Sequence, residues 1–241
     1  MLDEYGQVNV NELSRYFNVS EVTVRNDLAY LERKNLLIRA RGGAIKTEKA
    51  SLDLRFLEKK SKNVKEKEAI GRRAARFIED GDTIVIDSGT TTREITNHLG
   101  RFSRLTVVTN ALNIASSLAD MENITIIMPG GIMRHSILTL VGATAIDNFK
   151  MFFGDKLFLA ADGIDMNLGL SSPDLEEAAL KRTMLKMARK IIVVADSSKL
   201  GKRHLAVICN ISQIDVLITD SGISPMYKEA MEKMGVEVVV V

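Results

Sequence analysis

Residues 87–92 read DSGTTT, between an apolar run and a helix-like stretch. The first turn of a helix has free N–H groups and the positive end of the dipole. With the Ser88, Thr90, Thr91 and Thr92 hydroxyls around Gly89, it makes an anion cradle. Lys199, in DSSKLG, can add a point charge to a phosphate. Asp162, Glu177 and Lys181 can bind sugar hydroxyls. Neither GxxxxGK[ST] nor GxGxxG occurs, which disfavours nucleoside triphosphates and dinucleotides; a small phosphorylated molecule fits better. A plainer alternative stands beside this one: SGTTT only caps its helix, Lys199 lies in solvent, and Glu177 and Lys181 form a surface pair four residues apart.

A second constellation is SEVTVRNDL, residues 20–28. The Ser20 hydroxyl can cap a helix whose buried stripe is Val24, Leu28 and Leu31. Val22, Asn26 and Ala29 then face outward, with Thr23, Arg25 and Tyr30 beside them. Arginine pairs with guanine, asparagine with adenine, and small apolar groups meet the thymine methyl in a major groove. Before it, Asn11 can cap a short helix with Leu13 and Phe17 inside, and NVS is the break, giving a helix-turn-helix. LLIRARGGAIK continues as strand, Gly-Gly turn and strand, a wing whose Arg39, Arg41 and Lys46 can reach phosphates. Glu21 and Arg25 are also spaced as an ordinary surface pair.

Other chemistry is poorly supported. The three histidines, His98, His135 and His204, lack metal-ligand spacing, so no metal and no cofactor is expected. Cys209 is the single cysteine and reads as a small core residue; Met184 and Met187 read as core filler. No GxSxG elbow is present.

The elements that must hold these residues follow from periodicity. TIVID, LTVVT, ITIIM, KLFLAAD, KIIVVAD, DVLIT and VEVVVV are strand candidates. Helical stretches are expected at 64–79, 91–99, 111–121, 174–189 and 225–234. Near-continuous Val/Ile runs alternating with helices predict a mostly parallel sheet covered on both faces, an α/β fold. The strand ends carry the polar and glycine residues, where open parallel sheets gather ligands. Residues 1–50 are expected to form a winged helix-turn-helix domain, 51–67 a charged linker, and 68–241 the effector-binding domain.

The 241 residues are 46% hydrophobic and 27% charged, ordinary for a soluble globular protein. No apolar run approaches the roughly 20 residues of a membrane span, no signal peptide is visible, and a lone cysteine fits a reducing cytoplasm. The net charge of +2 is uneven: residues 1–67 hold 14 Lys+Arg against 10 Asp+Glu.

Ser20, Thr23, Val24, Arg25, Asp27 and Leu28, the wing ending in RGGA, and then DSGTTT, VVTNALNIA, PGG, TLVG, DGID, EEA and DSSKLG together resemble the DeoR family of bacterial transcription regulators. The resemblance covers nearly the whole chain. It implies an effector domain similar in fold to ribose-5-phosphate isomerase, a phosphate loop at Asp87 to Thr92, and pocket residues Asn110, Asp162, Gly163, Glu177, Lys181 and Lys199. SSPDLEEA resembles members controlling amino-sugar or galactitol-type catabolism. The expected protein is a repressor of sugar catabolism genes, bound to operator DNA under control of a phosphorylated sugar. Paired half-sites require a homo-oligomer, a dimer or tetramer. An alternative is a sugar-phosphate isomerase with an accessory N-terminal domain, using Asp162, Asp165 and Glu177 for proton transfer. A ligand-free adaptor is a third alternative, which the clustered strand-end loops oppose.

Overall fold

The computed structural model describes residues 1–33, 36–45, 59, 61–135 and 137–241. Lys46 and most of the stretch 51–67 lie outside them. The chain divides into two compact units, Met1–Lys62 and Asn63–Val241.

In the first unit, α1 (Leu2–Tyr5) precedes β1 (Gln7–Asn9), α2 (Val10–Phe17), α3 (Glu21–Arg33), β2 (Ile38–Ala40) and β3 (Gly43–Ile45). The wing is realised as β2 and β3. A strand not anticipated from sequence, β1, pairs antiparallel with β3, giving the order β1-β3-β2. Val10, Leu13, Val24, Leu28, Leu37 and Ala44 form the core, and Leu31 packs against it. Two local expectations need correcting. The cap of α2 is Asn9, whose side chain accepts from Asn11 N at 2.9 Å, so the helix begins at Val10. Phe17 is 60% exposed and meets the Tyr16 ring edge-on. It is the last helical residue, and the chain turns away at Asn18 through a positive φ of 52°.

The second unit is built on a seven-stranded sheet in which every pairing is parallel. Its strands are β4 (Thr83–Ile86), β5 (Leu105–Thr109), β6 (Ile124–Ile127), β9 (Gly154–Ala160), β12 (Ala188–Val194), β14 (Val216–Thr219) and β15 (Glu237–Val240), in the order β15-β14-β12-β9-β4-β5-β6. Alternate residues feed two cores: Val85, Leu157, Val193 and Leu217 on one face, Ile84, Phe158, Ile192 and Val216 on the other. Burial of both faces explains why these strands read as continuous apolar runs; each large side chain so buried contributes about 1.5–3 kcal/mol. The order reverses between β4 and β9. That is the switch point, the position at which open parallel sheets bind ligands.

Helices α4 (Val64–Ala74), α5 (Thr90–Arg93), α6 (Leu112–Leu118), α7 (Ala143–Phe149), α8 (Leu175–Met184) and α9 (Pro225–Lys233) connect the strands. The expected helix 64–79 is α helix to Ala74 and then one 3-10 turn, Ala75–Phe77. The expected helix 91–99 is mostly 3-10, Glu94–Arg101, and 174–189 stops at Met184 because Ala188 already begins β12. Two antiparallel pieces and α7 escaped the periodicity: the hairpin β7 (Ile132–Arg134) with β8 (Thr139–Val141), and a small sheet of β10 (Gly163–Asp165), β11 (Gly169–Ser172) and β13 (Ala206–Cys209).

Candidate functional site

At the switch point, Asp87 follows β4 and is 1% exposed. Lys181, on α8, is 4% exposed, and its Nζ lies 2.6 Å from Asp87 Oδ2. The same ammonium donates to Ala160 O at 2.8 Å, and Ala160 N donates to Asp87 Oδ2 at 3.0 Å. Strand β4, strand β9 and α8 thus meet at one buried ion pair. Burial lifts the Asp87 carboxyl above its ordinary range, against the pull of Lys181 and the Ala160 and Ser88 N–H groups. For Lys181, burial works against the charge, but Asp87, Glu177 and Asp162 outweigh it and hold the ammonium protonated.

Glu177 lies one turn before Lys181 on α8, whose N-terminus Asp174 caps by accepting from Glu177 N at 2.9 Å. Burial raises the Glu177 pKa; Lys181 opposes the rise, while Asp162, Asp174 and Asp87 add to it. Asp162 therefore shares a field with Glu177 and Lys181. A group missed in the sequence joins them: Arg134, from the β7 hairpin, reaches Asp174 at 2.6 Å, Glu176 at 3.3 Å and Glu177 at 3.8 Å. The available signal was the run of three acids opening one helix, which demands a nearby cation. His204 was also missed; its Nε2 is 3.3 Å from Asp162 O.

A carboxyl that binds its proton more tightly when folded adds stability below the ordinary value of 4.5, and that stability is lost as pH rises through the raised value. Glu177→Gln removes this loss. The variant is expected to melt above the parent at neutral pH, with the difference shrinking at pH 4.5. Melting curves at both pH values check this; a difference independent of pH contradicts it.

The loop after Asp87 is half-buried at Ser88, Gly89 and Thr90, and buried at Thr91 and Thr92. Gly89 precedes α5, and no side chain caps that helix. The Thr92 hydroxyl donates back to Gly89 O at 3.1 Å. SGTTT is therefore not a side-chain cap, and no side chain among the described residues takes up the first-turn N–H groups. Gly89 is required by closeness: a Cβ there would stand 2.7 Å from Ala160 Cβ.

Other expected site residues are placed as follows. Asn110 directly follows β5, is 2% exposed and donates to Leu140 O at 3.3 Å, while its Oδ1 has no hydrogen-bond partner among the described residues. Gly163 opens β10, next to Asp162. Lys199 ends the 3-10 turn Ser197–Lys199 after β12 and is half-buried. Asp165 serves its turn: it accepts from Asn167 N and Leu168 N and pairs with Arg203 Nε at 2.8 Å. Arg203 and those N–H groups lower its pKa, the wrong direction for a proton shuttle near neutrality. Among the described residues no histidine, cysteine and carboxylate cluster fit to hold a metal is found. Cys209 is buried, and its thiol is pushed up to about 11.

In the first unit, Ser20 Oγ accepts from Thr23 N at 3.1 Å and meets Thr23 Oγ1 at 2.8 Å, capping α3. Val24 and Leu28 face inward; Val22, Thr23, Arg25, Asn26 and Tyr30 are exposed along the opposite side. Arg25 pairs with Glu21 at 2.7 Å. Arg39 and Arg41 are exposed on the wing. This is a helix presenting mixed donors and small apolar groups beside two cations, the surface a duplex groove accepts.

Comparison with known proteins covers both units. A model of the DeoR-like helix-turn-helix domain matches residues 1–50, and one of the DeoR C terminal sensor domain matches residues 62–221. A protein of Escherichia coli O157:H7 named as an aga operon transcriptional repressor is 36% identical over 100% of this chain and 90% of its own. The glycerol-3-phosphate regulon repressor of Escherichia coli K12 is 34% identical over 92% of this chain and 87% of its own. The structure of ribose 5-phosphate isomerase A from Methanocaldococcus jannaschii aligns with 58% of this chain and 56% of that one, at a TM-score of 0.43 and 16% identity.

Proposed function

The chain belongs to the DeoR family of transcriptional regulators, and from that premise we propose that it is a repressor of sugar catabolism genes whose hold on operator DNA is set by a phosphorylated sugar. It is a regulator and not an enzyme, as its relatives along the full length are. The single observation carrying the effector half is the switch-point site: the buried pair of Asp87 and Lys181, with half-buried Glu177 and Asp162 in its field, beside a helix start that no side chain caps.

The anion of the effector sits on the N–H groups and hydroxyls of residues 88–92, with Lys199 as counter-charge. Asn110, Asp162 and Glu177 accept from its hydroxyls, near Gly163. The buried Asp87 and Lys181 pair positions this arrangement rather than reading the ligand, since the ammonium is already committed to Asp87 and Ala160. Val22, Arg25, Asn26 and Tyr30 face the groove, Thr23 and Ser20 lie at the start of the reading helix, and Arg39, Arg41 and Lys46 hold phosphates. Palindromic half-sites require at least two copies of the chain. The effector acts only through a difference in affinity for the operator-bound and free arrangements. No helix among the described residues is long and apolar enough to cross a membrane, and the cytoplasm is the compartment where operator and sugar phosphate meet.

The test is release or tightening of DNA from upstream of the chain's own gene, measured by anisotropy while sugar phosphates are titrated. Lys199→Ala is expected to weaken the response about 10-fold, as loss of one charge-assisted contact does, with operator affinity unchanged. Turnover of the sugar phosphate without duplex binding at low salt overturns the reading in favour of an isomerase.

A further inference from the structure

The second unit holds another concave site, away from the switch point. Arg72 on α4, Arg76 on the 3-10 turn after it, and Asn97, His98, Gly100 and Arg101 on the 3-10 helix Glu94–Arg101 line a cavity of about 540 Å³. That volume is within the usual range for small-ligand pockets. The two helices approach closely because residue 71 is glycine; a Cβ there would stand 2.6 Å from Glu94 Cβ.

The charge balance of the cavity is one-sided. Arg72 and Arg76 have no ion pair or hydrogen bond to any described residue, and no carboxylate lines the cavity. Glu94, the acid on the facing helix, is engaged by Asn97 at 2.8 Å and lies 3.5 Å from Arg93. Arg101 is held in place: Nη2 donates to Ala75 O at 2.7 Å, and the guanidinium lies 4.7 Å from the centre of the Phe102 ring. Two helix C-termini face this region, and each is worth about half a negative charge. Their sum offsets about one of the three guanidiniums. An arrangement that leaves about two positive charges unanswered around a concavity is suited to an anion of matching charge.

This cavity is separate from the proposed effector site. The phosphate loop lies at the start of α5, and the cavity is formed by the far end of the same helical run. The lining on this segment begins at Asn97, beyond Thr92 and the end of α5.

We propose that this cavity is a second anion site, which takes a compact small molecule with two or more negative charges, of the pyrophosphate or phosphate-ester class. Its concavity favours a discrete anion over the extended backbone of a nucleic acid.

The experiment uses the full chain with sodium pyrophosphate and inorganic phosphate as probes, followed by calorimetry and thermal melts at fixed ionic strength. The expected result, read in a Lys199→Ala background so that binding at the phosphate loop is suppressed, is one pyrophosphate per chain, bound about 10-fold more weakly once Arg72→Gln and Arg76→Gln are added. If the double variant loses its native circular dichroism, Arg72→Lys with Arg76→Lys keeps charge and fold, and is expected to retain part of the affinity. Equal binding by parent and double variant in that background overturns the proposal. So does loss of binding in Lys199→Ala, or an equal effect from chloride at matched ionic strength. Absence of pyrophosphate binding together with reduced affinity of the double variant for unrelated duplex assigns the arginines to DNA backbone, and the small-anion site falls.

Discussion

Lys181→Met is expected to cost about 3–5 kcal/mol of stability in the second unit, read from urea unfolding. The methionine fills much of the same volume, so the loss is electrostatic. With the ammonium gone, Asp87 remains 1% exposed, with N–H donors from Ala160 and Ser88 but no counter-ion. It must then take up a proton or remain as an uncompensated buried charge, and both are unfavourable. The double variant Asp87→Asn, Lys181→Met removes the charge as well and is expected to recover a large part of the loss, because an amide can still accept from Ala160 N. The two substitutions are therefore non-additive, as expected for groups 2.6 Å apart. A loss below about 1 kcal/mol for the single variant, the range of an exposed pair, shows that the pair does not fasten α8 to the switch point.

Arg25→Ala is expected to weaken operator binding by about 1–3 kcal/mol, or roughly 5- to 150-fold, with effector affinity unchanged. In the free chain the guanidinium is held by Glu21 at 2.7 Å, both side chains being about half exposed. Such a pair within a helix is worth about 0.3–0.5 kcal/mol. A bidentate bond to guanine is worth more, so the exchange runs toward DNA. The same reasoning gives Glu21→Gln the opposite sign: the arginine is released, and a negative charge leaves a surface that approaches phosphates. Anisotropy with labelled operator at fixed salt measures both. An unchanged dissociation constant for Arg25→Ala removes this residue from the reading face.

All seven strands of the parallel sheet were legible as apolar runs; in the inner strands burial on both faces imposes Val, Ile and Leu, while the edge strands Ile124–Ile127 and Glu237–Val240 keep the apolar run with less burial. The antiparallel pieces were not. Ile132–Arg134 and Gly163–Asp165 are three residues each, too short for an alternation to register. Gln7–Asn9 is likewise short, and only its partner Gly43–Ile45 defines it as a strand. In the site, residue types pointed to charge and hydroxyl chemistry, but partnership was invisible. Lys181 looked like a hydroxyl binder or a surface mate of Glu177, whereas its ion pair is with Asp87, 94 residues away in sequence. Arg134 was passed over because its three acidic partners lie some 40 residues downstream. Spacing along a helix reveals neighbours within two turns, and these contacts join elements far apart in the chain.

The position of Gly154–Ala160 in the middle of the sheet has a consequence for biosynthesis. This strand is flanked by Thr83–Ile86 and Ala188–Val194, so a nascent chain cannot join the two halves until residue 160 has left the ribosome. Every residue of the helix-turn-helix unit has been made by then, while the second unit is still in pieces. Long-range parallel pairing is slow to form, so freshly synthesised molecules pass through an interval in which the first unit is complete in sequence and the parallel sheet is not.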